Sequence, residues 1–280
     1  MRLTNNYNLP STLYKAISWE RDEPKDYEYR VTELVSPPRQ MWLQRRYGSE
    51  IEEDISERIW ILMGNACHYL LEKGESPNDL IEERLTAKMN GITIKGRPDL
   101  LQGDVLWDYK VTSTWSVVFD PQGKPDWIKA ISIYKWLYEQ NGFPVTQAYV
   151  MAILRDWIKS KRTEDGYPKL PVAIIPIKFL DDIPKYIQER IEAHEAAKNL
   201  LDHELPECTK EEKWQDEDKW ALMKKGQKRA VKLFNSEEFA KAECASLSAA
   251  AQSNFYYCEP RVGIPKRCLE YCNVAPWCQG

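Results

Sequence analysis

The sequence holds no uninterrupted apolar run of the roughly 20 residues that a helix needs to cross a bilayer, so a helical membrane span is excluded. Its first twenty residues lack the basic start and apolar stretch of a signal peptide, and a cytoplasmic protein is expected. The chain lacks an excess of positive charge: with Lys and Arg at 39 against 43 Asp and Glu, the net charge is -4. It is therefore no general polyanion binder, and any contact with nucleic acid needs a local basic face. Histidine is scarce at three residues, so each one counts as a potential ligand or proton carrier. Internal repeats and low-complexity tracts are absent. So are paired C-x2-C knuckles, although there are seven cysteines. In a reducing compartment such cysteines are thiols or metal ligands rather than disulfides.

What is present is ample core material. Hydrophobic residues make up 43% of the 280, enough for one large domain with an appendage. Residues 1–35 read as polar and irregular with one short helix. After Ser36-Pro37-Pro38, helices are predicted over 39–47 and 56–72, the second from the helical spacing of Ile59, Leu62, Met63, Ala66, Leu70 and Leu71. The period then changes to two. Strands are expected over 81–87 and from Ile92 to Gly96, joined by an Asn90-Gly91 hairpin turn. A second turn at Gln102-Gly103-Asp104 returns the chain as a strand over 105–112. A helix over 126–141, strands over 147–154 and 172–179, and a helix over 183–203 follow. Beyond Leu205-Pro206 the character shifts to Glu/Lys-rich segments, a hairpin over 220–223 and 229–234, a helix over 237–250 and a cysteine-rich tail. The reading is an α/β protein, with a domain over 1–206 and a small one over 207–280.

The chemistry-bearing stretch is Pro98-Asp99 followed, one hairpin later, by Asp108-Tyr109-Lys110. Residues two apart on a strand share a face, so Asp108 and Lys110 project together. Antiparallel pairing brings Asp99 beside Asp108. Two adjacent carboxylates repel, and a hard divalent cation such as Mg²⁺ or Mn²⁺ relieves them. An Asp-x-Lys triplet alone is more often an exposed salt bridge on an edge strand. Here the pair sits among Val105, Leu106, Trp107 and Val111, which favours a buried site. Thr112 and Ser113 after the lysine, and Lys95 and Arg97 before Asp99, are candidates for phosphate contact. Trp115 is a candidate for base stacking, within a chain of 11 Trp and 15 Tyr.

These residues resemble the signature of the PD-(D/E)xK nucleases, and among them the RecB-like and Cas4-like exonucleases, some of them phage-encoded. The resemblance implies a restriction-endonuclease-like core: a central mixed β-sheet flanked by helices, with a small C-terminal cysteine-ligated domain. It implies a metal site of His68, Asp99, Asp108 and the Tyr109 backbone carbonyl, with Lys110 and Tyr134 serving catalysis. His68 lies in Gly64-Asn65-Ala66-Cys67-His68 on the helix that such proteins use for a histidine ligand. Tyr134 fits the tyrosine of a Gln-x-x-x-Tyr motif, but Ala130 stands where the glutamine belongs. The implied activity is Mg²⁺- or Mn²⁺-dependent exonuclease action on DNA, single-stranded DNA favoured, in recombination, repair or replication. The competing reading is a non-catalytic DNA-binding or assembly subunit that keeps the fold. A homo-oligomer or a recombination partner protein is compatible with either, as is a bacterial or phage-infected host cell.

The tail carries Cys268, Cys272 and Cys278 at C-x3-C-x5-C, able to wrap one metal or cluster. Cys208 is the favoured fourth ligand over Cys258 and Cys244, because it opens the appended domain in a loop. The resemblance implies a [4Fe–4S] cluster here, and zinc is the alternative. The spacing departs from the C-x2-C-x5-C usual in those proteins. Their distant cysteine also precedes the nuclease core instead of following it.

Overall fold

The computed structural model describes residues 1–18, 28–74, 76–251 and 255–278. The irregular chain expected over 19–27 lies outside the described residues. The chain divides into two compact units, Met1–Leu201 and Asp202–Gly280, meeting slightly before the boundary expected at 206.

The first unit contains β1 (Arg2–Thr4), α1 (Ser11–Ile17), β2 (Glu28–Arg30), α2 (Val31–Val35), α3 (Pro38–Tyr47), β3 (Glu52–Asp54) and α4 (Ile59–Glu72). It continues with β4 (Asp79–Ile81), β5 (Leu85–Met89), β6 (Ile92–Gly96), β7 (Leu100–Gln102) and β8 (Val105–Thr112). Then come α5 (Thr114–Phe119), α6 (Pro125–Gln140), β9 (Gln147–Leu154), β10 (Val172–Pro176) and α7 (Ile183–Ala197). Its central sheet is mixed, in the order β10-β9-β8-β7-β4. Only β8 and β9 run parallel, in register from Val105↔Gln147 to Thr112↔Leu154. The crossover between them carries α6, as a parallel pair requires. A smaller sheet, β2-β6-β5, lies under α6. The fold class is therefore the expected one: α/β, with a central mixed sheet flanked by helices.

Local chemistry explains the boundaries. Asn90 and Gly91 both take positive φ, 51° and 80°, which closes the β5–β6 hairpin as a tight primed turn. Pro125 occupies the first turn of α6, and Gly142 at φ 86° follows its end. The Asp182 carboxylate caps α7 by accepting the Lys185 amide at 3.0 Å.

Four expectations need correction. The strand foreseen over 81–87 is two strands, β4 and β5, parted at Glu82, whose φ of 52° breaks the extended run. The strand over 172–179 ends at Pro176, which has no amide of its own, although the Ile177 amide still donates to the Ala148 carbonyl at 2.9 Å. The helix over 183–203 ends at Ala197, and a separate 3-10 turn forms at Asp202–Glu204. The N-terminal segment is more ordered than its polarity implied: β1 pairs with β3 and β2 with β6, both parallel.

The core of this unit is built from Leu101, Leu106, Val150 and Ala152 of the central sheet, with Ile131, Ile133 and Leu137 of α6, all almost fully buried. The second unit has β11 (Lys219–Lys224), β12 (Lys232–Phe234), α8 (Glu237–Ala250) and β13 (Tyr256–Arg261). Its three strands pair antiparallel in the order β12-β11-β13, and α8 packs on them. A short π-helical turn, Arg267–Tyr271, leads into the tail. Among the described residues no helix is long and apolar enough to cross a membrane.

Candidate active site

The β7–β8 hairpin sets the site. Leu100 pairs with Trp107, so Asp99, one step earlier, stands across from the Asp108–Tyr109 segment. Its Oδ2 accepts the Tyr109 amide at 2.6 Å. Asp99 and Asp108 keep only 8% and 4% of their surface. Two carboxylates withdrawn from water in one place are costly unless a cation or donors compensate them.

The compensation comes from three directions. His68, on the last turns of α4, brings Nδ1 to 3.3 Å from Asp99 Oδ1 and 3.4 Å from Glu82 Oε1. Those hydrogen bonds to Asp99 and Glu82 raise the imidazole pKa to about 10. Arg97 Nε holds the other Glu82 oxygen at 2.6 Å. Lys110 Nζ lies 2.5 Å from Asp108 Oδ2. Burial pushes the Asp108 carboxyl pKa up and Asp99 adds to this, while Lys110 opposes both. For Lys110, burial favours the neutral amine, but the charges of Asp108, Asp99 and Glu82 outweigh it and the ammonium persists.

His68, Glu82 and Asp99 offer ligand atoms within 4.8 Å of one another, the one such set of three among the described residues. One imidazole and two carboxylates, with Asp108 beside them, fit a hard or borderline divalent cation.

Glu82 was not singled out in the sequence. Its break between β4 and β5 turns its side chain inward, and its amide donates to the Asp99 carbonyl at 3.0 Å. The Glu82-Glu83-Arg84 run ahead of Leu85 was a turn-like signal, but it reads equally as a solvated acidic corner.

The remaining expected residues are placed as follows. Tyr134 is half-buried on α6 with its ring close to Gly96, and Ala130 lies one turn before it. Lys95 is bonded to Glu28 at 2.7 Å. Ser113 caps α5 by accepting the Ser116 amide at 3.3 Å, and the Thr112 carbonyl accepts the Arg155 amide. Trp115 is 47% exposed and stacks on Phe119.

No family model matches this sequence, and no curated protein matches it. Solved structures do resemble it in fold, at low identity. A protein described as SSO0001 is 18% identical, over 69% of this chain and 85% of its own, with a TM-score of 0.47. An alkaline exonuclease from Laribacter hongkongensis is 16% identical, over 67% of this chain and 91% of its own, at 0.38. A phage-related exonuclease from Haemophilus somnus 129PT is 15% identical, over 66% and 78%, at 0.28. These likenesses are distant, and the functional reading rests on the site.

The second unit gathers cysteines. Cys208 is half-buried, and its pKa is pushed to about 11 by burial, then by Glu212, and then by Cys278, Cys268 and Cys272. Burial likewise raises Cys272, with Cys268 and Cys278 adding to it. The four sulfurs thus share one neighbourhood. Cys258 is elsewhere: its Sγ donates to the Ala240 carbonyl at 3.1 Å, and its thiol interacts with Cys244.

Proposed function

We propose that this protein is a Mg²⁺- or Mn²⁺-dependent deoxyribonuclease, an exonuclease acting by preference on single-stranded DNA. The observation that carries the reading is the convergence of His68, Glu82 and Asp99 on one point beside the buried Asp108–Lys110 pair.

In this reading His68, Glu82, Asp99, Asp108 and the Tyr109 carbonyl hold the cation. A bound divalent cation supplies an acidified water and neutralises charge on the phosphate. The protein's own groups do the rest. Lys110 donates to the attacking water or to a phosphoryl oxygen as its charge grows, a contact worth most in a site shielded from bulk water. Asp108 fixes that ammonium in place. The Tyr109 amide fixes Asp99, so its second oxygen is aimed at the site. Tyr134, Lys95, Arg97, Thr112, Ser113 and Trp115 are assigned to the substrate side, with Lys95 and Arg97 acting through their ion pairs as well as their charge.

For the second unit we assign Cys208, Cys268, Cys272 and Cys278 to a [4Fe–4S] cluster that staples the tail. What supports one shared guest is that Cys208 and Cys272 each feel the charge of the other tail thiols; tetrahedral zinc is the alternative.

The test is digestion of end-labelled single- and double-stranded DNA with Mn²⁺, Mg²⁺ or EDTA. Degradation that needs the cation and is abolished in Lys110→Ala supports the reading. A parent protein that binds DNA but never cuts it would instead establish the non-catalytic, assembly-type role.

A further inference from the structure

Beyond the end of the active strand the structure carries a feature that the cutting chemistry does not use. Helix α4 is apolar in sequence, yet none of its residues is fully buried, and Trp60 is 53% exposed. The Arg155 guanidinium lies over the Trp60 ring at 4.2 Å. Arg155 follows directly on β9, and its amide donates to the Thr112 carbonyl at 3.0 Å. The neighbouring Asp156 carboxylate accepts both the amide and the hydroxyl of Thr114, at 2.6 and 2.8 Å. Trp115 is the next residue. The ends of β8 and β9 therefore fasten together a cationic stack at Trp60 and a second exposed indole at Trp115. Thr112 is two residues past Lys110, roughly 7 Å along the strand.

The same loop is basic. Residues 155–162 read Arg-Asp-Trp-Ile-Lys-Ser-Lys-Arg, their one acid engaged by Thr114, and Glu164 and Asp165 follow them before β10. Lys159, Lys161 and Arg162 make no salt bridge among the described residues, within a chain whose net charge is -4. The loop is nevertheless well tied. The buried Tyr167 hydroxyl accepts the Ile158 amide at 2.8 Å, and Trp157 Nε1 donates to the Pro168 carbonyl at 2.8 Å. Unpaired cations on an anchored loop whose first residue, Arg155, covers the exposed Trp60 ring match a flexible polyanion with flat faces. An apolar protein surface would leave the cations unanswered.

We infer that the β9 loop and the Trp60–Arg155 and Trp115 faces form the track for single-stranded DNA leading to the active site. Bases stack on the two indoles, and Lys159, Lys161 and Arg162 take the phosphates. The placement rests on the nuclease reading, but the track is tested by binding and not by cutting.

The experiment is fluorescence anisotropy of fluorescein-labelled oligothymidine with the full chain in EDTA, across a salt series. Trp60→Ala and Trp115→Ala are each expected to weaken binding at least fivefold, with Trp60→Phe and Trp115→Phe recovering most of it. The triple variant Lys159→Ala/Lys161→Ala/Arg162→Ala is expected to flatten the log–log salt slope by about 2. Variant melting temperatures matching the parent's keep misfolding apart from lost binding. If the parent digests DNA but these variants bind as the parent does, the track is wrong and the nuclease reading stands. If binding depends on the track but no cutting occurs, the nuclease reading fails and the track stands. A parent with no measurable binding, or a Trp60→Ala effect confined to sedimentation mass, overturns the track; the second result would make the face a protein interface.

Discussion

Asp99 Oδ2 accepts the backbone amide of Tyr109 at 2.6 Å, so one carboxylate both locks the β7–β8 hairpin and faces His68 with its other oxygen. The two roles separate by substitution. Asp99→Asn keeps an acceptor for the amide but removes the charge. Its urea midpoint is expected to stay near the parent's while hydrolysis falls about a hundredfold or more. Asp99→Ala also strands a buried amide, adding about 1–3 kcal/mol of destabilisation. Equal loss of stability in both variants would mean that the hydrogen bond is not what the carboxylate contributes to the fold.

Glu82 is expected to be a cation ligand on the same footing as His68. Glu82→Gln and His68→Ala should each weaken Mn²⁺ binding, followed by calorimetric titration, by about tenfold or more. Unchanged Mn²⁺ affinity in Glu82→Gln would reduce its role to holding Arg97 in the ion pair at 2.6 Å.

How much of this site was open to reading from the sequence depends on which interactions are local. Asp108 and Lys110 share a face because of strand periodicity. Asp99 is carried to them by a single hairpin with a clear turn signal. Those relations span about ten residues and need no knowledge of the rest of the fold. Glu82 is different. Its left-handed φ goes with a bond to the Asp99 carbonyl seventeen positions on, and the Ile81–Ala87 run looks like one continuous strand without it. The pairing of Lys95 with Glu28 is equally hidden, since it depends on β2 lying parallel to β6 across 67 residues. The α4 surface escaped for the opposite reason: its helical apolar spacing reads as a core face, yet none of its residues is fully buried.

Gly96 makes a prediction about packing under the site. A Cβ there would lie 2.8 Å from Leu137 Cδ1, 2.8 Å from Tyr134 Cε1 and 3.0 Å from Val31 Cγ2. Leu137 and Val31 are buried and have nowhere to go. Gly96→Ala is expected to cost about 1–3 kcal/mol in chemical denaturation. The resulting shift of Tyr134 should also lower cutting. A neutral Gly96→Ala would mean that α6 stands off the β6 edge more loosely than these distances show.

The cysteines make a prediction about content. Protein prepared without oxygen should be brown and carry iron and sulfide, and Cys208→Ser should lose both along with thermal stability. Cys258→Ser should keep its iron, because that thiol bonds the Ala240 carbonyl and neighbours Cys244 instead. Colourless, zinc-loaded parent protein would replace the cluster with a zinc site. Iron lost from Cys258→Ser but kept in Cys208→Ser would reverse the ligand choice. The sequence favours Cys208 because it opens the appended domain in a loop, while Cys258 lies in a strand-like run ten residues before Cys268.

His194 sets an expectation for acid. It is fully buried on α7, its carbonyl accepts Trp42 Nε1 at 2.8 Å, and its ring contacts Tyr29. Burial and, after it, the nearby Arg190 lower its pKa to about 4. In the unfolded chain the ring titrates near 6.5, so between those two values the unfolded state binds the extra proton. Stability is therefore greatest above about pH 6.5 and falls as the pH drops toward 4, where the loss is complete at about 3 kcal/mol from this one ring. Urea midpoints for the parent and for His194→Asn, taken from pH 7.5 to 4, isolate the contribution. The variant starts lower at neutral pH, having lost buried contacts, but declines less steeply. Parallel curves for the two proteins would show that His194 is already free to protonate in the folded state, and that acid sensitivity comes from the carboxylates alone.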